Sequence, residues 1–310
     1  MKFKKERFFE MVLLFITIIW GSSFVIADIA LNSGLSPLFI LMSRFFIGAF
    51  LMGAICRKRI KENFSLNSFV PGIILGIVFF MAFYMQILGL KYSTPSNNAV
   101  ITSANVVLVP FICWLLVKIP PKPINFISCF ISLLGIAVIS VDFSSGFSFH
   151  SGDSFSLLSA IMFAGQIVVV GEMSKRVEYT TLVFTEFSVA TIIALMLYLI
   201  TEHDFRAFTN RAGWLSILYL GIVCTCICFF LQARALCRVE SSRGAVIMSL
   251  ESLFGSALSV IAGIEPLNLS ILVGSITLLV AVVLPEIKCF QKVKCAKRKD
   301  TEYEKQRVNF

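Results

Sequence analysis

Arg44, Glu186 and Glu251 are ionisable side chains set inside apolar runs, where each demands chemistry that oil does not supply. Glu251 stands in SLESLFGSALSVIAG, residues 249–263. An isolated charge in an apolar medium is costly, so a chain that carries one needs either a partner or a use for it. Glu251 suits binding of a substrate amine or proton coupling; the alternative is a helix–helix hydrogen bond made while protonated. Arg44 does not readily lose its proton and therefore requires a carboxylate, carbonyls or water. It can bind an anionic group such as a substrate carboxylate, pair permanently with Glu186 or Glu251, or lock a helix end. Glu186 lies closer to the expected headgroup level. Among neutral groups, Asn97, Asn98 and Asn105 can orient a ligand or cross-link helices; the first two can instead cap a helix, since Ser96-Asn97 opens a span, and Trp20 can wall an apolar pocket or simply pack. Gln86 and Gln232 fall near opposite surfaces of the membrane and are candidate gates, with helix–helix hydrogen bonding as the alternative.

The elements that must hold these groups are membrane helices. Of 310 residues, 57% are hydrophobic and 15% charged, with 31 Phe and nine Pro, a balance far from that of a soluble domain. Long apolar runs without short alternating strands argue for helices over a β-barrel. At roughly 20 residues per crossing, ten spans are expected: 11–31, 37–56, 69–90, 97–117, 124–141, 154–171, 180–201, 212–233, 244–264 and 267–285. The segments between them are too short to bury a core, which excludes a separate soluble catalytic or nucleic-acid-binding domain.

Charge placement tests that count. With the N-terminus cytoplasmic and sides alternating, 23 of the 27 Lys and Arg fall inside, against Lys91, Arg206 and Arg211 outside and Arg44 within a span. This is the positive-inside pattern, so both termini are expected in the cytoplasm, in a multi-pass protein of the inner (cytoplasmic) membrane. The basic start followed by an apolar run imitates a signal peptide, but nine further spans argue for an uncleaved first helix. The basic tail from Lys288 is expected to meet anionic lipid headgroups, not nucleic acid. Cys224, Cys226 and Cys228 cannot all face one point on an α-helix and no His accompanies them, so they read as packing residues. No cofactor, no metal and no catalytic set is expected, and no phosphate-binding loop argues for ATP-driven transport.

The chain also repeats itself. Residues 86–138 laid over 232–284, an offset of 146, give nine identities in 53 without a gap: Gln86 meets Gln232, the run Ala99 to Ile101 meets Ala245 to Ile247, and Pro120 meets Pro266. A fainter upstream match sets Trp20-Gly21 over Phe163-Ala164. Five spans per copy is an odd number, so the second copy enters from the opposite side. Inverted repeats of this kind belong to many secondary transporters and place the substrate near the midplane. Asn105 and Glu251, repeat mates, both lie roughly 12 Å deep by helical rise.

At these residues the chain resembles the drug/metabolite transporter superfamily, specifically the EamA-like permeases. Trp20 to Phe24 looks like that family's opening motif. Pro37 with Arg44 matches its second helix, and Leu250 to Phe254 resembles its Leu-Glu-Pro-Val-Phe stretch, with Glu265 matching a closing acid. Ser252 stands where many members carry Pro, so a backbone break there is not assured. The resemblance implies an all-α membrane fold of ten helices in two inverted five-helix repeats, with a central cavity and the fifth and tenth helices peripheral. The expected parts are a cytoplasmic start 1–10, repeats 11–141 and 154–286, an outward linker 142–153 and a basic tail 287–310. The expected activity is not enzymatic but export or exchange of small organic metabolites, an amino acid or a related compound, by alternating access with protons. Lipids surround the chain and a homodimer is compatible with it. The rival is a lipid-handling protein or membrane enzyme using the same cavity.

Overall fold

The computed structural model describes residues 2–118, 120, 123–140, 151–202, 211–264, 269–270, 272–274, 276–281 and 283–284. His150, His203, Arg206, Glu265, Pro266, Cys289, Cys295, most of the expected outward linker and the basic tail lie outside them.

Described residues form helices α1 (Lys2–Asn32), α2 (Pro37–Ile55), α3 (Arg57–Asn63), α4 (Leu66–Lys91), α5 (Pro95–Ser103), α6 (Asn105–Val117), α7 (Pro123–Ser140), α8 (Ser151–Met173), α9 (Tyr179–Thr201) and α10 (Arg211–Leu218). A π-helical segment, Tyr219–Ile227, runs into α11 (Cys228–Leu236), followed by α12 (Ser241–Met248) and α13 (Leu250–Ile261). Eight stretches among them are long and apolar enough to cross a membrane: Glu6–Asn32, Pro37–Ile55, Leu66–Lys91, Pro95–Leu116, Ser151–Met173, Tyr179–Thr201, Gly213–Leu236 and Ser241–Ile261. The shorter apolar helices Pro123–Val138 and Leu272–Ala281 fall where the fifth and tenth spans were expected. Two features were not anticipated: α1 continues back to Lys2, and the short basic α3 intervenes between the second and third spans.

Local chemistry sets the helix starts. The Ser36 hydroxyl accepts from Phe39 N at 3.1 Å and Pro37 follows at the first turn, where a missing N–H costs nothing. Thr94 does the same for α5, accepting from Asn97 N at 3.2 Å ahead of Pro95. The Glu178 carboxylate caps α9, accepting from Thr180 N and Thr181 N. The α5 helix thus opens at Thr94 and Pro95, before the Ser96-Asn97 pair expected to cap it.

The α5–α6 span and the α12–α13 span are each interrupted once, at Ala104 and at Ser249. At both points the backbone tightens to bonds between residues three apart: Ala104 N to Ile101 O, Val107 N to Ala104 O, and Ser252 N to Ser249 O. No proline makes the second break. Serine hydroxyls bond backwards there instead, Ser249 to Val246 O and Ser252 to Ser249 O, both at 2.8 Å, a pattern that bends helices. Asn105 is the first residue after its break and Glu251 the second after its own.

In packing, α4 lies along α8 and α9, while the span from α10 to α11 lies along α1 and α2. The α5–α6 span rests on α8, the α12–α13 span rests on α1, and the two broken spans touch each other. Small residues permit the crossings. A Cβ at Gly21 of α1 would stand 2.6 Å from Phe254 Cβ and 2.8 Å from Gly255 N of α13. Gly135 of α7 faces Gly274 and Leu278 of the last helix in the same way. Large apolar side chains such as Phe46, Phe50, Met196 and Leu199 point outward, as a lipid-facing surface requires.

Candidate functional site

The centre of the bundle is aromatic. Phe45, Phe79 and Phe83 of α2 and α4 meet Phe187 of α9 and Phe229 of α11, with ring centroids 4.7 Å apart for Phe79 and Phe229 and 4.8 Å for Phe79 and Phe83. Beside this cluster lies a narrow cavity, walled by Trp20, Ser23, Phe24, Arg44, Phe83, Gln86, Asn105, Phe163, Gln166, Ile167, Phe229, Gln232, Met248 and Glu251. Its lining is apolar with a few convergent polar groups, as in small-molecule sites.

Of the residues singled out in the sequence, Trp20, Arg44, Gln86, Asn105, Gln232 and Glu251 all line this cavity. Glu186 does not. It is fully buried on α9, and its Oε1 accepts from Gln166 Nε2 at 3.0 Å. Gln86 and Gln232 share one wall with Glu251, although each lies within two turns of its helix end. Asn98 is no cap: its Nδ2 donates to Gln86 O at 2.9 Å and to Ser156 Oγ at 2.8 Å, tying α5 to α4 and α8.

Arg44 is 4% exposed and has no carboxylate partner among the described residues. Its Nε donates to Thr225 Oγ1 at 2.9 Å and its guanidinium carbon sits 4.2 Å from the centroid of the Phe83 ring. Neither permanent pairing foreseen for it, with Glu186 or with Glu251, is made. Glu251 is 8% exposed and accepts a single long hydrogen bond, from Ser103 Oγ at 3.3 Å. The wall therefore carries an unpaired cation and a carboxyl held by little. Trp20 has a defined job: its indole Nε1 donates to Cys224 O at 3.0 Å and its ring packs at a tilt against Phe229, centroids 4.9 Å apart.

The Trp20–Cys224 and Arg44–Thr225 hydrogen bonds both reach the π-helical segment, whose widened turn redistributes backbone partners; Thr225 Oγ1 itself donates to Leu220 O at 2.8 Å. Such segments recur at functional sites. Cys224, Cys226 and Cys228 are buried in and just after it, and among the described residues no group of three His, Cys, Asp or Glu is placed to hold a metal.

The residues that sequence reading missed are the cavity partners Ser23, Phe24, Phe83, Gln166, Ile167, Phe229 and Met248. A signal existed. Phe83 and Phe229 stand at the same offset of 146 as Gln86 with Gln232 and Asn105 with Glu251, and Ser23 with Gln166 and Phe24 with Ile167 continue the offset of 143 that pairs Trp20 with Phe163. Of the wall residues only Arg44 and Met248 fall outside these pairs. A smaller, tighter pocket shares Ser23, Phe24, Arg44, Phe83 and Gln86 and runs on past Ala27 and Leu90 to Asn98. At the opposite end the equivalent positions are packed: a Cβ on Gly244 would lie 2.7 Å from Leu236 Cδ2. There Arg243 Nε stands 2.8 Å from Glu10 Oε1, joining α12 to α1.

Comparison with known proteins gives a consistent result. The model of the EamA-like transporter family matches residues 8–141 and again 150–285. An uncharacterized transporter of Archaeoglobus fulgidus is 29% identical over 286 residues, covering 92% of this chain and 87% of its own. A second from the same organism is 25% identical over 290 residues, with 91% and 98% covered. The uncharacterized transporter YcxC of Bacillus subtilis is 24% identical over 291 residues, with 88% and 91% covered. A solved crystal structure shares the fold with a TM-score of 0.72 at 18% identity, covering 91% of this chain and 98% of that one.

Proposed function

Because the chain belongs to the EamA-like transporter family of the drug/metabolite transporter superfamily, and so is a multi-pass membrane transporter, we propose that it moves small organic metabolites across the cytoplasmic membrane by alternating access. The observation that carries this reading is the pairing of the cavity wall. Phe83 with Phe229, Gln86 with Gln232, Trp20 with Phe163 and Asn105 with Glu251 face one space from sequence-equivalent places in the two halves. Two inverted copies of five spans, 11–141 and 154–286, produce such a wall and provide one gate per side. The double family match and the reciprocal packing of α4 on α8–α9 and of α10–α11 on α1–α2 support the same arrangement.

With both termini cytoplasmic, as the basic residues argue, the smaller cavity toward Asn98 is the outward path. The end packed around Leu236, Gly244 and the Glu10–Arg243 pair is then the closed inner side. Gln86 and Gln232 flank the two ends as gate residues. The symmetry is broken where chemistry is needed: Glu251 faces Asn105, and Arg44 has no counterpart on the wall. Arg44 reads an anionic group of the substrate, Glu251 an amine or a transported proton, and the aromatic rings the carbon skeleton. No group on the wall pairs a nucleophile with a base, which disfavours the rival reading of an enzyme.

The test uses purified protein in liposomes with three probes sharing one branched skeleton: leucine, 3-methylbutylamine and 4-methylpentanoate. Saturable flux of at least one, accelerated by an imposed pH gradient, is expected; leak indistinguishable from protein-free liposomes for all three sinks the reading.

A further inference from the structure

Gln166 and Glu186 form a pair that the reading above leaves unused. Gln166 of α8 lines the cavity at 1% exposure, and Glu186 of α9 lies behind it at 0%. The amide Nε2 donates to Glu186 Oε1 at 3.0 Å, which leaves Gln166 Oε1 with no partner among the described residues. Glu186 Oε2 likewise has none. An acceptor left unpaired out of water costs free energy that any donor entering the cavity would recover.

The other half of the molecule shows what this pair is for. Ser23 is the repeat mate of Gln166, and Arg44 holds the place on α2, eight residues beyond its N-cap Ser36, that Glu186 holds on α9 beyond Glu178. Ser23 is short, and its hydroxyl bonds back to Trp20 O at 2.7 Å. Arg44 is therefore uncovered and takes its place on the wall. In the second half the longer amide covers the ionisable residue instead. The outcome is one ionisable group presented and one screened, with the amide carbonyl of the screening group left over.

We infer that Gln166 is a specificity-determining residue: Glu186 pins its NH2 group, so that its carbonyl oxygen accepts an N–H from an ammonium group of the substrate. Glu186 is the positioning residue. The inference rests on the proposed small-metabolite cavity and deepens it, because it assigns the ammonium end of the cargo to Gln166 and Glu251 and the anionic end to Arg44. Gln232, whose Oε1 is also buried without a partner, stands on the same wall.

Binding of leucine, 3-methylbutylamine and 4-methylpentanoate to detergent-purified protein, read as ligand-induced thermal stabilisation over a concentration series, tests this. In Gln166→Leu the apparent affinity for the two ammonium probes is expected to fall about tenfold or more, the usual effect of losing a hydrogen bond to a charged group, while 4-methylpentanoate is unaffected. Glu186→Gln keeps size and a hydrogen bond but lets either end of the Gln166 amide turn inward, so the same loss of ammonium preference is expected at normal yield. The exchanged pair Gln166→Glu with Glu186→Gln restores the pinning contact with its roles reversed and is expected to regain that preference. A wild-type protein that separates the amine from the acid, with all three variants separating them equally well, overturns the inference alone. A wild-type protein stabilised by none of the probes overturns the substrate class of the cavity and this inference with it. A purely structural Glu186 would lower yield without changing the ratio between probes, which also overturns it.

Discussion

Arg44 of α2 and Thr225 of the π-helical segment are joined by one hydrogen bond, Nε to Oγ1 at 2.9 Å, in the interior of the bundle. Among the described residues the rest of the guanidinium meets aromatic faces, Phe83 at 4.2 Å and Phe45 at 5.8 Å from the ring centroids, contacts worth about 0.5–2 kcal/mol each according to their exposure to water. The cation is oriented by neutral groups and keeps its charge free for a ligand.

Replacing Arg44 by Leu is therefore expected to weaken 4-methylpentanoate far more than 3-methylbutylamine, measured as apparent affinity. Arg44→Lys should not rescue it, because an ammonium lacks both the Nε fork and the flat face that stacks on Phe83. Thr225→Val, which leaves the Nε donor without an acceptor, should lower thermal stability by about 1–3 kcal/mol. Equal losses for acid and amine probes would show that Arg44 only braces the fold.

Glu251 is held by a single 3.3 Å contact from Ser103, so its loss should cost little structure. Glu251→Gln is expected to abolish flux driven by a pH gradient in liposomes while the protein inserts and purifies normally. Ser103→Ala should change flux less than tenfold. Proton-driven flux that persists in Glu251→Gln removes this carboxyl from the coupling step.

The Glu10–Arg243 contact, with side chains 12% and 22% exposed, is worth about 0.2–1 kcal/mol for a part-exposed pair. Neutralising either partner should let the packed end open more often, raising maleimide labelling of a cysteine placed at Leu236 by about two- to fivefold. Exchanging the charges, Glu10→Arg with Arg243→Glu, should return labelling to the original rate. Unchanged labelling in the single variants rules out a latch.

Gly21→Ala is expected to destabilise by about 1–3 kcal/mol, the usual cost of overpacking, because the new Cβ would meet Phe254 Cβ and the Gly255 backbone, neither of which can rotate away. Gly165→Ala is the control. Its Cβ would meet nothing within 4 Å, so thermal unfolding should be unchanged or raised by about 0.5–1 kcal/mol through a better helix former. Equal behaviour of the two would mean that the crossing of α1 and α13 is not close.

How much of this was legible in the sequence depends on the kind of signal. The spans at α2, α4 and α9 are readable to within a few residues, because a membrane helix must be apolar over its whole length and Ser36-Pro37 and Ser65 mark its start. The π-helical segment was not readable: Tyr219–Ile227 is as apolar as its neighbours, and nothing in its composition announces a wider turn. The break at Ser249 was equally hidden, since the expected proline is absent and serine hydroxyls do the bending.

The residue types by themselves determined that this chain is membrane-helical with a few costly polar groups in its interior, because burial of charge is expensive whatever the fold. Which of those groups meet one another was decided only by the tertiary structure. Arg44 and Glu186 hold equivalent positions on α2 and α9, yet one lines the cavity and the other is covered by Gln166. That difference turns on the length of a side chain borne by a third helix, and no periodicity along a single strand of sequence reports which neighbour a helix will present.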